Sequence, residues 1–115
     1  MTIERDELSS LVLEEDAGAE REDPITPGEI LREDFMDPLG LSAAALARAL
    51  GVPANRITAL LKGERGVTAD TALRLSRYFG TTPEFWMRLQ SEYELRRARQ
   101  TIAGEIERTV SPRVA

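Results

Sequence analysis

Asn55, Arg56, Thr58 and Lys62 stand together between Gly51 and Gly63, and all four are residue types that meet nucleic acid. An Asn amide offers the donor and acceptor pair that matches adenine, Thr brings a hydroxyl or a methyl, and Ala54 and Ala59 could touch a thymine methyl. Arg56 suits guanine or a phosphate, and Lys62 a phosphate. Other chemistry is poorly supplied. The chain has no His and no Cys, so the commonest general base, the commonest metal ligand and every thiolate are missing. Asp34 and Asp37 are the acidic pair an enzyme reading would use, but acids near a helix end ordinarily cap it or face water. No catalytic residue, metal site or cofactor is expected.

The elements that must hold these side chains can be read from punctuation. Ser42 opens an alanine-rich helix that ends at Gly51, and a second helix runs from Pro53 to about Lys62 and stops at Gly63. Leu46, Leu50, Val52, Ile57 and Leu60 would share one core, and Ala47 is small enough for the two helices to approach closely. This is the pattern of a helix-turn-helix, in which the first helix crosses the DNA backbone and the second offers its exposed side chains to the major groove. The site so predicted is Ser42, Arg48, Ala54, Asn55, Arg56, Thr58, Ala59 and Lys62, with Ser42 and the nearby backbone N–H groups set for phosphate. The same spacing also fits an ordinary helical hairpin whose Asn55 and Thr58 are surface residues, and periodicity leaves both readings open.

Around this pair the sequence predicts three further helices and no strand. One begins at Thr26-Pro27-Gly28-Glu29, with Thr26 as cap, and is expected to stop before Asp37-Pro38. One runs from about Thr68 to Phe79 and halts at Gly80; the last runs from Thr82-Pro83 to about Gln100, after which Gly104 and Pro112 predict fraying. No apolar stretch approaches the roughly 18 residues of a membrane span, and Met1 to Ser10 carries acids where a signal peptide carries bases, so a cytoplasmic protein is expected.

Charge divides the 115-residue chain. Residues 1–23 hold nine acids (Glu4, Asp6, Glu7, Glu14, Glu15, Asp16, Glu20, Glu22, Asp23) against Arg5 and Arg21. The overall net charge of −5 therefore leaves the rest slightly basic, which is compatible with a local DNA-binding face. The expected organisation is an acidic extension (1–23), a helical domain (24–100) and a tail (101–115). The extension is either a solubilising segment or a partner-binding arm, with Leu8, Leu11 and Val12 on one helical face.

Several segments, taken in order, resemble the HigA family of addiction-module antidotes: Ile25-Thr26-Pro27-Gly28-Glu29-Ile30-Leu31, Leu39-Gly40-Leu41-Ser42, Leu46-Ala47, Leu50-Gly51-Val52, Asn55-Arg56-Ile57, Gly63 and Arg65, Thr71-Ala72-Leu73-Arg74-Leu75, Phe79-Gly80-Thr81, Phe85-Trp86 and Leu89-Gln90. The resemblance covers about Asp23 to Gln100. It implies an all-α, five-helix, lambda-repressor-like domain, here with an acidic extension, acting as a homodimer on operator DNA. It also implies repression of its own operon and neutralisation of a RelE-like, messenger-RNA-cutting toxin. The family's members usually begin near Pro24, so the acidic arm is an addition, and Ala43 and Ala44 replace polar residues that often assist DNA contacts, which would shift weight to Arg48 and Arg56. A toxin would be met by Leu8, Leu11 and Val12 within the arm. A stand-alone helix-turn-helix repressor and a helical scaffold that binds protein are the competing functions.

Phe85, Trp86, Leu89 and Tyr93 recur at helical spacing on the last predicted helix. They are read as core, as a dimer interface, or as both. Arg74, Arg77 and Arg88 are expected to face solvent or to pair within the chain with Glu84, Glu92 and Glu94.

Overall fold

A computed structural model of the chain describes residues 23–114. Leu8, Leu11 and Val12 lie outside the described residues. Among those described there are six helices and no strand. Helix α1 covers residues 27–39 in three parts: a first turn, Pro27–Ile30, a π-helical stretch, Leu31–Met36, and a last turn, Asp37–Leu39. Then follow α2 (Ala43–Leu50), α3 (Ala54–Leu61), α4 (Ala69–Phe79), α5 (Pro83–Thr101) and α6 (Ala103–Thr109).

Four of these helices start on a hydroxyl. The Thr26, Ser42, Thr68 and Thr82 side chains each accept from the backbone N–H three residues on, at Glu29, Ala45, Thr71 and Phe85, over 3.1 to 3.3 Å. The expected stop before Asp37-Pro38 does not occur. The helix widens instead, with the Asp37 N–H donating to the Arg32 carbonyl five residues back. Pro38 has no N–H to give and its ring would crowd the carbonyl four residues earlier in a regular α-helix, so a π turn just before it lets the chain pass. The expected fraying after Gln100 is likewise replaced by the short, exposed α6.

The core is Leu31 and Met36 of α1, Leu46, Ala47 and Leu50 of α2, Ile57 and Leu60 of α3, Val67, Ala72 and Leu75 around α4, and Trp86 of α5. α2 packs on α3, α4 on α5, and α1 lies against both α3 and α5. Phe35 joins the two halves: its ring centroid stands 5.1 Å from that of Phe79 and 5.0 Å from that of Trp86. Trp86 is wholly buried and its indole N–H donates to Thr81 Oγ1 at 2.7 Å. It has no surface to offer a second subunit, so within one chain it is a core residue. Phe85, Leu89 and Tyr93 are half-buried, and Tyr93 accepts a 3.0 Å hydrogen bond from Arg97.

Candidate nucleic-acid interface

The geometry of the turn between α2 and α3 is set by Gly51. Its φ of 71° is left-handed; its N–H donates to the Arg48 carbonyl at 3.2 Å, and the next N–H, of Val52, reaches back to Ala47 at 3.0 Å. This pair of bonds closes α2 abruptly and satisfies carbonyls that would otherwise lack partners. Pro53, extended at φ −63° and ψ 148°, then starts α3. Val52 is half-buried against the core, so the turn is tied down by an apolar contact as well as by hydrogen bonds.

On α3, Ile57 and Leu60 face inward, while Ala54, Asn55, Thr58 and, at the C-cap, Lys62 are exposed and Ala59 is half-buried. The exposed residues recur at intervals of three and four, which places them along one side of the helix. Thr58 Oγ1 donates at 3.3 Å to the Asn55 carbonyl, a local bond that costs little to exchange for a contact outside the chain. No hydrogen bond or ion pair holds the Asn55 amide among the contacts described, and Arg48 is exposed near the end of α2. Ser42 is exposed at the N-cap of that helix; capping uses an oxygen lone pair and leaves its O–H able to donate.

Arg56 behaves differently from its neighbours. Its Nη1 donates to Asp70 Oδ1 of α4 at 2.7 Å, and its side chain is 28% exposed against 57% for Asp70. The same oxygen accepts from Arg74 Nε at 2.7 Å, and Arg74 Nη1 donates to the Leu50 carbonyl at 2.8 Å. The hydrogen bonds from Arg74 and then Arg56 hold the Asp70 carboxyl below its ordinary value of 3.8. Arg74 is therefore paired within the chain, but with Asp70 of its own helix rather than with Glu84, Glu92 or Glu94. Sequence reasoning passed over Asp70. Its four-residue spacing from Arg74 was a usable signal for that pair, whereas nothing in the sequence linked it to Arg56.

Behind the interface, the loop between α3 and α4 is fastened by Gln90. Its Oε1 accepts from the buried Val67 N–H at 2.8 Å, and its Nε2 donates to Glu94 at the same distance. Gln90 thus anchors the segment that leads from the exposed helix α3 to Asp70.

A helix-turn-helix family model matches residues 31–86, which takes in α2, the turn and α3. Antitoxin HigA-1 of Vibrio cholerae is 41% identical over 73 residues, 63% of this chain and 68% of the relative. A solved addiction-module antidote protein of the HigA family from Coxiella burnetii is 49% identical, with a TM-score of 0.75 over 79% of this chain and 99% of that one. The chain belongs to the HigA family of helix-turn-helix antitoxins. Antitoxin HigA of Pseudomonas aeruginosa, solved with the higBA promoter, is 47% identical, with a TM-score of 0.77 over 79% of this chain and 99% of that one. The HigA likeness thus extends through the lambda-repressor-like helical domain expected from the sequence, with six helices among the described residues rather than the expected five.

Proposed function

We propose that this HigA-family chain is an antitoxin that binds its own operator as a homodimer, represses its own operon, and neutralises a RelE-like toxin that cuts messenger RNA. The observation that carries the DNA-binding part is the exposed side of α3, where Asn55 stands with Ala54, Thr58 and Lys62 on a helix held rigidly by α2 and its glycine turn. In this reading Asn55 meets an adenine, Thr58, Ala54 and Ala59 shape the contact with neighbouring bases, and Ser42, Arg48 and Lys62 hold phosphates. The P. aeruginosa relative, solved with promoter DNA, supports it.

A palindromic operator needs two reading helices about one DNA turn apart, roughly 34–36 Å. The dimer would form through the last two helices, where Leu95, Ile102, Ile106 and Val110 are 44–61% exposed, with Phe85, Leu89 and Tyr93 contributing their remaining surface. The acidic arm would supply the toxin contact. Its nine acids suit the basic surface of an RNA-cutting protein, and Leu8, Leu11 and Val12 would anchor it. These partners place the work in the cytoplasm.

The test is a titration of the purified chain, and of Asn55→Ala, against its own upstream DNA at two salt concentrations, with and without the product of the adjoining reading frame. The expected result is tight, salt-sensitive, sequence-dependent binding, altered by that product and weakened about 5- to 150-fold by the substitution, a loss of about 1–3 kcal/mol of discrimination. Specific DNA binding with no complex to the neighbour would leave a stand-alone repressor; no specific binding would overturn the reading.

A further inference from the structure

Asp70 lies in the first turn of α4, yet its carboxylate is turned to account by α3. A single oxygen, Oδ1, accepts from both Arg56 Nη1 and Arg74 Nε. Arg74 is fixed in turn, because its Nη1 is bonded to the Leu50 carbonyl where α2 ends. The carboxylate is therefore held in place from its own helix and cannot simply follow Arg56 if that side chain moves away. It remains largely solvent-exposed beside the reading helix, and Arg65 lines the same shallow notch as Arg56 and Asp70.

We propose that Asp70 is a specificity-determining residue, which keeps Arg56 from the phosphate backbone and sets a negative charge next to the reading helix. The proposal rests on the DNA-binding reading above. Its logic is that affinity for any duplex comes mainly from cations that displace counterions from phosphates, while discrimination comes from base edges. A guanidinium free beside Asn55 would add to every complex, right or wrong. Tied to Asp70, it adds to neither, and the exposed carboxylate opposes a nearby phosphate. Discrimination then depends on the short, weakly charged face of Ala54, Asn55 and Thr58. The neutral side chains that looked sparse for a DNA reader decide which duplex is bound, because a non-selective contact beside them has been withdrawn.

The experiment compares the full chain with Asp70→Asn, binding to operator and to a random duplex of equal length across a salt series. Asp70→Asn keeps the side-chain shape and removes the charge. The expected result is tighter binding to random duplex and a plot of log affinity against log salt steeper by about 0.9, the contribution of one added phosphate contact. Between 50 and 200 mM salt that is an extra loss of about three- to fourfold in affinity. The preference for operator over random duplex should fall, and adding Arg56→Ala to the variant should return the slope toward wild type. Asp70→Ala, with helicity followed in parallel, serves as the second variant should the amide disturb α4. An unchanged slope in folded variants overturns the proposal, as does weaker binding to both duplexes, which would mean that Asp70 presents Arg56 to DNA. Failure of the underlying reading is separately visible: wild type would show no operator preference at all, while affinity for random duplex would still report whether Arg56 had been released.

Discussion

Replacing Gly28 with alanine should destabilise the protein strongly, although alanine is the better helix former. Gly28 is buried in the first turn of α1, where that helix crosses the end of α3. A Cβ built there would stand 2.1 Å from the Leu60 carbonyl oxygen, 2.9 Å from its carbon and 3.0 Å from Leu61 Cα. All three are backbone atoms, so no side chain can rotate out of the way. An ordinary contact requires α1 and α3 to separate by roughly 1 Å, at the upper end of the 1–3 kcal/mol typical of overpacking. The intrinsic gain of alanine over glycine offsets at most about 1 kcal/mol of this. A net loss of about 2 kcal/mol corresponds to about 8–16 °C in melting temperature for a domain of this size. Gly104→Ala is the internal control: it lies on exposed α6, and the nearest atom to its new Cβ is Arg108 Nη1 at 3.6 Å. Thermal melts followed by circular dichroism at fixed protein concentration would decide. A Gly28→Ala melting temperature equal to or above that of wild type would refute the close approach of α1 to α3, and with it the account of how the reading helix is held.

Gln90→Leu removes the acceptor for the buried Val67 N–H and should cost about 1–3 kcal/mol, read as a lower urea midpoint with faster hydrogen exchange at the Val67 amide. Ser42→Ala deletes the cap of α2 and should cost about 1 kcal/mol; a midpoint equal to wild type would show that the 3.1 Å bond to Ala45 carries no stability. Acidification should separate wild type from Asp70→Asn. Because Arg74 and Arg56 depress the Asp70 carboxyl below 3.8, its charged form favours the fold above that pH, and the advantage disappears as pH falls through the lowered value. Between pH 5 and pH 2 wild type should therefore lose more stability than the variant, and parallel acid limbs would contradict the pairing.

What the sequence made legible was whatever is decided within one turn of helix. A hydroxyl followed by a helix-forming run places a start, and Thr26, Ser42, Thr68 and Thr82 each sit three residues before the N–H they cap. A glycine after a run places a stop, as at Gly51 and Gly80. Helix α1 defied such reading at Pro38, since proline ordinarily marks a boundary. The turn is carried past it by the burial of Leu31 and Met36 and by Phe35, which packs against aromatic rings forty and more residues away. Trp86 shows the same limit from the other side. An aromatic stripe at helical spacing has one pattern whether it faces its own core or a second subunit, and only the packing of α1 and α4 against α5 resolves it for that residue.

The candidate site divides along the same line. Exposure of Asn55 and Thr58 follows from periodicity once Ile57 and Leu60 are assigned to the core, so the face proposed to read DNA was accessible from residue order alone. The state of Arg56 was not. An arginine beside Asn55 reads as a DNA contact because its type and position suit one, but its hydrogen bonds are settled by whatever carboxylate the fold brings within reach, here one fourteen residues later on another helix. The functional consequence is one of sign. As a free cation Arg56 would raise affinity for all DNA; as a partner of Asp70 it ties α3 to α4, and under the proposal above it would leave selectivity to its uncharged neighbours.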